Sequence, residues 1–181
     1  MKILVLSGSL RKASFNTRLG KAIAKRAPEG VQIDVATCHG IPLYDGDVEE
    51  AEGVPQAVVA LRDQIKSVDA LILLTPEYNG GMPGVFKNTL DWLTRPGSEI
   101  NATFKNLPTG LGGATPGGLG TTLAQSGSLV VLRQLKLRLF SGHLRVSGAA
   151  GALDANGAIS DKLAGMLDSW LSEFVEFARK L

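Results

Sequence analysis

Cysteine and histidine are scarce in this sequence, and their scarcity excludes several kinds of site. The 181 residues include one cysteine, Cys38, and two histidines, His39 and His143. A disulfide within the chain is therefore impossible, and a cysteine-based metal site is not expected. We predict no metal site, and we expect a cytoplasmic protein because a single unpaired cysteine fits a reducing compartment.

Long apolar runs and an excess of one charge are missing as well. The apolar run after Lys2 ends at Ser7, which is too short for a signal peptide, and no stretch is long enough to span a bilayer. Lysine and arginine number 19 against 17 aspartates and glutamates, so the formal net charge is only +2. The sequence therefore predicts neither nucleic acid nor an anionic membrane as a partner. Because no linker divides the chain, we predict a single domain over residues 1–181.

Short apolar segments alternate with helical patterns along the chain. Strands are predicted at residues 3–6, 31–35, 70–74, 109–114 and 143–146. A helix is predicted after each strand, and the later four span residues 55–66, 83–93, 119–139 and 158–181. We interpret the acidic segment at residues 45–52 as a solvated loop. The alternation is typical of a doubly wound α/β domain whose five-stranded parallel sheet most simply has the order 2-1-3-4-5.

The segment after the first predicted strand combines small hydroxyl side chains with cations. A loop at this place leads into a helix N-terminus, where backbone N–H groups and the helix dipole attract anions. We interpret it as a phosphate site, although helix capping by Ser14 or Asn16 alone would explain part of the pattern. The phosphate motifs G-x-x-x-x-G-K-[ST] and G-x-G-x-x-G are both missing. The candidate ligands are Ser9, Arg11, Ser14, Asn16 and Thr17.

A second polar loop follows the third predicted strand. Pro76 ends the strand pattern, because proline cannot donate to a sheet ladder, and Gly80 and Gly81 let the backbone approach a ligand. An ordinary strand-to-helix turn is the alternative interpretation. A third loop, rich in glycine, follows the fourth strand at residues 115–120. In the predicted strand order these loops border one crevice, which suits a ligand with a phosphate at one end and a flat ring at the other, such as FMN.

Three motifs together resemble a known family. They are GSLRKASFNT at residues 8–17, TPEYNGGMPGVFKNTLDWL at residues 75–93 and GGATPGGLGT at residues 112–121. They are similar to the loops of the NADPH-dependent FMN reductases, which are flavodoxin-like quinone, azo-dye and chromate reductases. The resemblance extends over nearly the whole chain and implies a flavodoxin-like three-layer sandwich.

The resemblance also implies which residues bind FMN. The first loop would hold the phosphate, and the other two would line the ribityl chain and the ring, largely through backbone groups. The implied cofactor-binding residues are Ser9, Arg11, Ser14, Asn16, Thr17, Pro76, Glu77, Tyr78, Asn79, Gly80, Gly113, Thr115, Gly117 and Gly118. A homodimer or homotetramer is implied through the helices at residues 83–93 and 119–139. One departure concerns that interface, because the Leu-Arg pair that relatives have soon after Ala-Gln is missing after Gln125.

The predicted activity is FMN-dependent oxidation of NADPH or NADH, in which hydride passes through FMN to a small acceptor by a ping-pong reaction. The resemblance implies a quinone, an azo compound, chromate or free flavin as that acceptor. No side chain is predicted to be catalytic, and Glu77 is either a general acid or a residue that orders its own loop. Arg11, Lys12 or Arg95 would favour the extra phosphate of NADPH. The alternative is a flavodoxin-type electron carrier without NAD(P)H reductase activity, which the near-neutral charge disfavours.

Overall fold

A five-stranded parallel sheet forms the middle layer of the computed structural model, which describes residues 1–154 and 158–181. The strands stand in the order β2-β1-β3-β4-β5, so the predicted doubly wound α/β fold and its strand order are confirmed. The strands are β1 Lys2–Ser7, β2 Gln32–Thr37, β3 Ala70–Leu74, β4 Pro108–Ala114 and β5 Arg138–Val146.

Helices cover both faces of the sheet and complete three layers. The longer helices are α1 Phe15–Lys25, α3 Gln56–Lys66, α4 Gly84–Leu93, α6 Thr122–Gln134 and α8 Asp161–Arg179. The shorter ones are α2 Gly46–Glu52, α5 Ile100–Phe104 and α7 Ala149–Ala152, with a 3-10 turn at Gly97–Glu99. α1 and α8 pack on one face of the sheet, and α3, α4 and α6 pack on the other. Within the described part of the chain, no helix combines the length and apolar character that a membrane crossing requires.

β1 lies inside the sheet because both of its faces are apolar. Ile3 is in register with Ile33 of β2 on one side and with Ala70 of β3 on the other, and residues 3–6 are buried. Continuous apolar strands are typical of parallel sheets that helices cover on both faces. The alternating strand β2 lies at the edge, as predicted. Since β1 and β3 are adjacent, the loops that follow them open at the same end of the sheet.

The C-terminal helix α8 packs against β4 and β5. Trp170 and Phe174 stack with their ring centroids 5.4 Å apart, and Trp170 Nε1 donates to Gly142 O at 3.0 Å. A Cβ atom at Gly110 would lie 2.8 Å from the Trp170 ring, so the close approach of helix and strand requires glycine there. Only 7% of Trp170 is exposed, so its ring belongs to the core between α8 and the sheet.

Three predicted segments differ from the structure. α6 ends at Gln134 and not at residue 139, because Lys136 adopts a φ of 62° and turns the chain into β5. β5 therefore begins at Arg138 and not at residue 143. Leu135 and Leu137 on either side of that turn are both buried, so the apolar periodicity continues past the end of the helix. The acidic segment contains α2 instead of a loop, and the Asp45 carboxylate caps it by accepting from Asp47 N at 2.9 Å. Residues 155–157, which precede the last predicted helix, lie outside the described residues.

Candidate active site

Three loops meet in one crevice at the carboxyl ends of β1, β3 and β4. The first loop comprises residues 8–14, the second residues 75–83 and the third residues 115–121. The fold explains the meeting, because parallel strands end at one edge of the sheet and the strand order reverses between β1 and β3. The crevice is lined by Ser9, Arg11, Ser14, Phe15, Asn16, Pro76, Glu77, Tyr78, Ala114, Thr115 and Pro116.

The first loop leads into the N-terminus of α1. Ser14 caps this helix, since Ser14 Oγ accepts from Thr17 N at 3.2 Å, and Ser14 N donates to Arg11 O at 3.0 Å. Ser9 Oγ accepts from Arg11 N at 3.3 Å. Both serines are buried, whereas Arg11 is exposed. Two hydroxyl groups, the first N–H groups of α1 and the positive end of its dipole thus converge on the crevice, which is the arrangement that anions favour.

Asn16 and Thr17 join α1 to the sheet. Asn16 Nδ2 donates to Ala114 O at 3.0 Å, and Asn16 Oδ1 accepts from Ala114 N at 2.9 Å. Thr17 Oγ1 lies 3.0 Å from Ser7 Oγ, and Thr17 is not part of the crevice lining. The polar groups of these two candidate ligands are therefore largely taken by protein partners, and one amide hydrogen of Asn16 remains for a ligand.

The second loop is shaped by a tight Asn-Gly turn. Tyr78 N donates to Gly81 O, and Gly81 N donates to Tyr78 O, both at 3.0 Å. Asn79 and Gly80 have φ values of 52° and 72°, as a two-residue turn of type I′ requires. The turn leaves Tyr78 half exposed at the edge of the crevice, next to the buried Pro76. Asn79 and Gly80 are exposed and lie outside the lining.

Glu77 connects the second loop to α6. Its Oε2 atom accepts hydrogen bonds from Leu123 N at 2.9 Å and from Ala124 N at 3.0 Å, in the first turn of that helix. Thr121, the residue that precedes α6, provides no side-chain cap of its own. Glu77 therefore caps a helix that begins 45 residues later in the chain. Of the two roles that the sequence left open for Glu77, this geometry favours ordering of the loops.

The third loop depends on glycine at one position. A Cβ atom at Gly113 would lie 2.2 Å from Thr75 O and 2.3 Å from Thr121 Oγ1, so no other residue fits between the second and third loops. Thr115 lines the crevice, whereas Gly117 and Gly118 are exposed and lie outside the lining. Gly113 is buried, so it allows the two loops to approach each other and does not itself contact a ligand.

A buried amide that the sequence interpretation missed supports the third loop. Gln125 Nε2 donates to Thr121 Oγ1 at 2.9 Å and to Leu144 O at 3.0 Å, and Gln125 Oε1 lies 3.0 Å from His143 Nδ1. Since Oε1 can only accept, Nδ1 of His143 carries the proton. Burial, and after it the nearby Arg145 cation, lowers the pKa of His143. Gln125 shares the buried face of α6 with a second polar residue, Ser128, and no sequence motif marks this network.

The cations named for the NADPH phosphate occupy different places. Arg95 is ion-paired with Glu49, with Nε 2.7 Å from Oε2, and its guanidinium lies over the Tyr44 ring at 5.7 Å. Arg95 is not part of the crevice lining, so the hypothesis that it binds the coenzyme finds no support. Arg11 lines the crevice and Lys12 follows it on the exposed side of the first loop.

The residues present fit FMN. The buried residues Ser9 and Ser14 at a helix N-terminus, together with Arg11 in the lining of the same crevice, form a donor set suited to a phosphate. Pro76, Tyr78 and Thr115 provide the opposite wall of the same crevice, where a flat ring would lie.

Comparison with known proteins places the chain in a family. Residues 1–151 match the sequence model of the family described as NADPH-dependent FMN reductase. An NAD(P)H-dependent FMN reductase of Pseudomonas aeruginosa is 37% identical over 183 residues, which cover 100% of this chain and 97% of that protein. A 2-hydroxy-1,4-benzoquinone reductase of a Burkholderia species is 34% identical over 99% of this chain and 97% of its own.

A solved structure agrees with these relatives. FerB of Paracoccus denitrificans, described as a flavoenzyme NAD(P)H:(acceptor) oxidoreductase, is 32% identical to this chain, with a TM-score of 0.87. The alignment covers 99% of this chain and 97% of FerB. The flavodoxin-like three-layer sandwich and the oxidoreductase class are thereby confirmed, and no comparison favours a carrier without reductase activity. The chain belongs to the NADPH-dependent FMN reductase family.

Proposed function

We propose that this chain binds FMN in the three-loop crevice and uses NAD(P)H to reduce quinones, with azo compounds, chromate or free flavin as further acceptors. The observation that carries the proposal is that the N-terminus of α1, where an anion is favoured, and the wall formed by Pro76, Tyr78 and Thr115 meet in one crevice. Relatives named quinone reductase and 2-hydroxy-1,4-benzoquinone reductase support the choice of acceptor.

The phosphate of FMN would lie at the N-terminus of α1. A phosphate monoester carries a charge of roughly −1.5 to −2 at neutral pH, and helix N-termini and charge-assisted hydrogen bonds stabilise such a charge. Ser9 and Ser14 offer hydroxyl groups, Asn16 its remaining amide hydrogen, and Arg11 a guanidinium. Thr17 acts indirectly, because its hydroxyl holds Ser7 at the end of β1.

The ring would lie against the second and third loops. Pro76, Tyr78 and Thr115 line that wall, and Glu77, Asn79, Gly80 and Gly113 shape it by holding the two loops in place. Gly117 and Gly118 on the exposed rim leave room for a second planar molecule. NAD(P)H and the acceptor would approach from this rim in turn, as a ping-pong reaction requires.

Bound FMN supplies the chemistry of hydride and two-electron transfer. The part of the protein is to bind and orient the cofactor and to shield it from water. No side chain of the crevice is assigned as a general acid. The Oε2 atom of Glu77 already accepts two backbone hydrogen bonds from α6, so this carboxylate is engaged in joining the second loop to that helix. Arg11 and Lys12 are the cations that would favour NADPH over NADH.

We also propose a single-domain, cytoplasmic homodimer or homotetramer. Leu123 and Val130 on α6 are 50% and 76% exposed, which supports contact of this helix with a second copy. Arg133, the next arginine after Gln125, lies at the exposed C-terminal end of the same helix.

FMN binding by two matched variants tests the proposed site. Arg11→Ala removes a crevice cation, and Lys21→Ala removes an exposed cation of α1 outside the crevice. We expect Arg11→Ala to weaken FMN binding by roughly tenfold or more, as the loss of a charge-assisted hydrogen bond does, and Lys21→Ala to have little effect. Equal FMN affinity in all three proteins would refute the assignment of Arg11. A chain that binds no FMN at all would refute the proposal as a whole.

A further inference from the structure

We infer that His39 is a positioning residue, which holds the Leu10–Arg11 peptide with its N–H group facing the FMN phosphate. This inference rests on the proposed function, because it assigns a residue outside the crevice to the same phosphate site. His39 lies after β2 and is not part of the crevice lining. No motif of the three loops includes it, and no role was predicted for it from the sequence.

The imidazole ring of His39 links the end of β2 to the first loop. Its Nε2 atom lies 3.1 Å from Leu10 O, and its Nδ1 atom lies 2.8 Å from Thr37 Oγ1. A carbonyl oxygen can only accept, so Nε2 carries a hydrogen and donates it to Leu10. The Thr37 hydroxyl can donate to Nδ1, so both ring nitrogens of His39 have a hydrogen-bond partner.

This hydrogen bond fixes the orientation of a peptide group next to the anion site. In a trans peptide the carbonyl of one residue and the N–H of the next point in opposite directions. Since Leu10 O points to His39, Arg11 N points the other way, where it donates to Ser9 Oγ of the crevice lining at 3.3 Å. A flipped peptide would instead turn a carbonyl oxygen toward the phosphate, and the partial negative charge of that oxygen would repel the phosphate anion.

Few other contacts restrain this peptide. Within residues 1–154 and 158–181, the His39 bond is the one hydrogen bond that joins residues 9–13 to a residue outside the first loop. The Leu10 side chain is 46% exposed, so packing adds little restraint. The remaining bonds of the segment, from Arg11 N to Ser9 and from Ser14 N to Arg11 O, lie inside the loop. The His39 hydrogen bond therefore fixes the position of this segment relative to the rest of the protein.

Riboflavin provides the readout, because it has the ring and ribityl chain of FMN but no phosphate. The full-length protein, freed of flavin, is titrated with FMN and with riboflavin, and the ratio of the two dissociation constants is compared among variants. A general loss of stability weakens both ligands and leaves the ratio unchanged, whereas a misplaced phosphate loop weakens FMN alone. The ratio thus isolates the effect that this inference predicts.

Two amide substitutions sharpen the test. The amide nitrogen of Gln reaches the place of Nε2, while that of Asn reaches only the place of Nδ1, near Thr37. We expect His39→Asn and His39→Ala to weaken FMN binding by roughly tenfold with riboflavin binding nearly unchanged, and His39→Gln to stay within about threefold of the wild-type protein. Gln64→Ala, an exposed position in the neighbouring groove, serves as the matched control and should match the wild type.

The outcomes separate this inference from the proposed function. If the wild-type chain prefers FMN to riboflavin and the Asn and Ala variants keep the same preference, the role of His39 is refuted and the phosphate site stands. If His39→Gln loses as much preference as His39→Asn, the hydrogen bond to Leu10 is not the cause and the inference is overturned. If the wild-type chain shows no preference for FMN, the proposed phosphate site itself is refuted together with the inference.

Discussion

Replacement of Glu77 tests whether this carboxylate orders the crevice or takes part in proton transfer. Its Oε2 atom accepts from Leu123 N and Ala124 N at 2.9 and 3.0 Å, and Thr121 does not cap the helix itself. Glu77→Ala leaves both N–H groups without this acceptor. Glu77→Gln keeps an oxygen that can accept and removes only the charge, so the two variants separate the hydrogen bonds from the electrostatic attraction to the helix dipole.

The expected magnitudes follow from helix capping. Loss of a capping side chain costs about 0.5–2 kcal/mol, and the charge at a helix N-terminus contributes about 0.3–1 kcal/mol. We therefore expect Glu77→Ala to lower the free energy of unfolding by about 1–2 kcal/mol and Glu77→Gln by less than about 1 kcal/mol. For a chain of this length, 1 kcal/mol corresponds to roughly 2–4 °C in Tm, so the alanine variant should melt roughly 2–8 °C lower.

Thermal denaturation and turnover with NADPH and a quinone are measured together. Glu29→Ala, which removes an exposed carboxylate before β2, is the matched control and should leave Tm unchanged. We expect Glu77→Gln to lower turnover by less than about tenfold, since removal of a general acid typically costs about 10²–10⁴. A hundredfold loss of turnover in Glu77→Gln with an unchanged Tm would refute the ordering role and identify Glu77 as an acid.

Three further predictions concern buried or half-buried groups. Gly113→Ala should destabilise the chain by about 1–3 kcal/mol or more in urea unfolding, because its Cβ would meet Thr75 O at 2.2 Å, whereas Gly117→Ala, with open space around it, should be neutral; equal stabilities contradict this. Burial raises the pKa of the Cys38 thiol to about 11, so iodoacetamide should label the native protein far more slowly than the unfolded one at neutral pH, and equal rates would contradict the burial. His143 has a lowered pKa in the folded chain, so the unfolded chain binds more protons and stability falls as the pH drops below about 6.5. His143→Gln should reduce that fall in the urea midpoint, and an unchanged pH dependence would show that His143 does not cause it.

The fold was predictable because its signals are local. Residues 3–6 and 70–74 are apolar on both faces, and such strands occupy the interior of a parallel sheet. Once the strand order is known, the topology brings the loops after β1, β3 and β4 to one crevice without any information about side chains. The end of α6 was not predictable, since Lys136 adopts its positive φ in a segment whose apolar pattern continues unbroken.

Residues that bind a ligand are harder to distinguish in a sequence from residues that hold the protein backbone in place. Asn16 has the chemistry of a phosphate ligand, but its amide pairs with the backbone of Ala114, 98 residues away. Glu77 likewise bonds to backbone N–H groups, which every residue except proline possesses, so no residue type marks its partners. Gln125 and His39 act through backbone carbonyls in the same way. A contact between a side chain and the backbone of a distant residue leaves no pattern in the amino-acid sequence, so only the structure reveals it.

Anaerobic addition of NADPH to the FMN-loaded protein tests the central claim most directly. The account predicts that the visible absorbance of oxidised FMN disappears in a first step with NADPH or NADH alone. It also predicts that this absorbance returns when the coenzyme is removed and a quinone is added. FMN that binds to the protein yet stays oxidised with both coenzymes would contradict the reductase function.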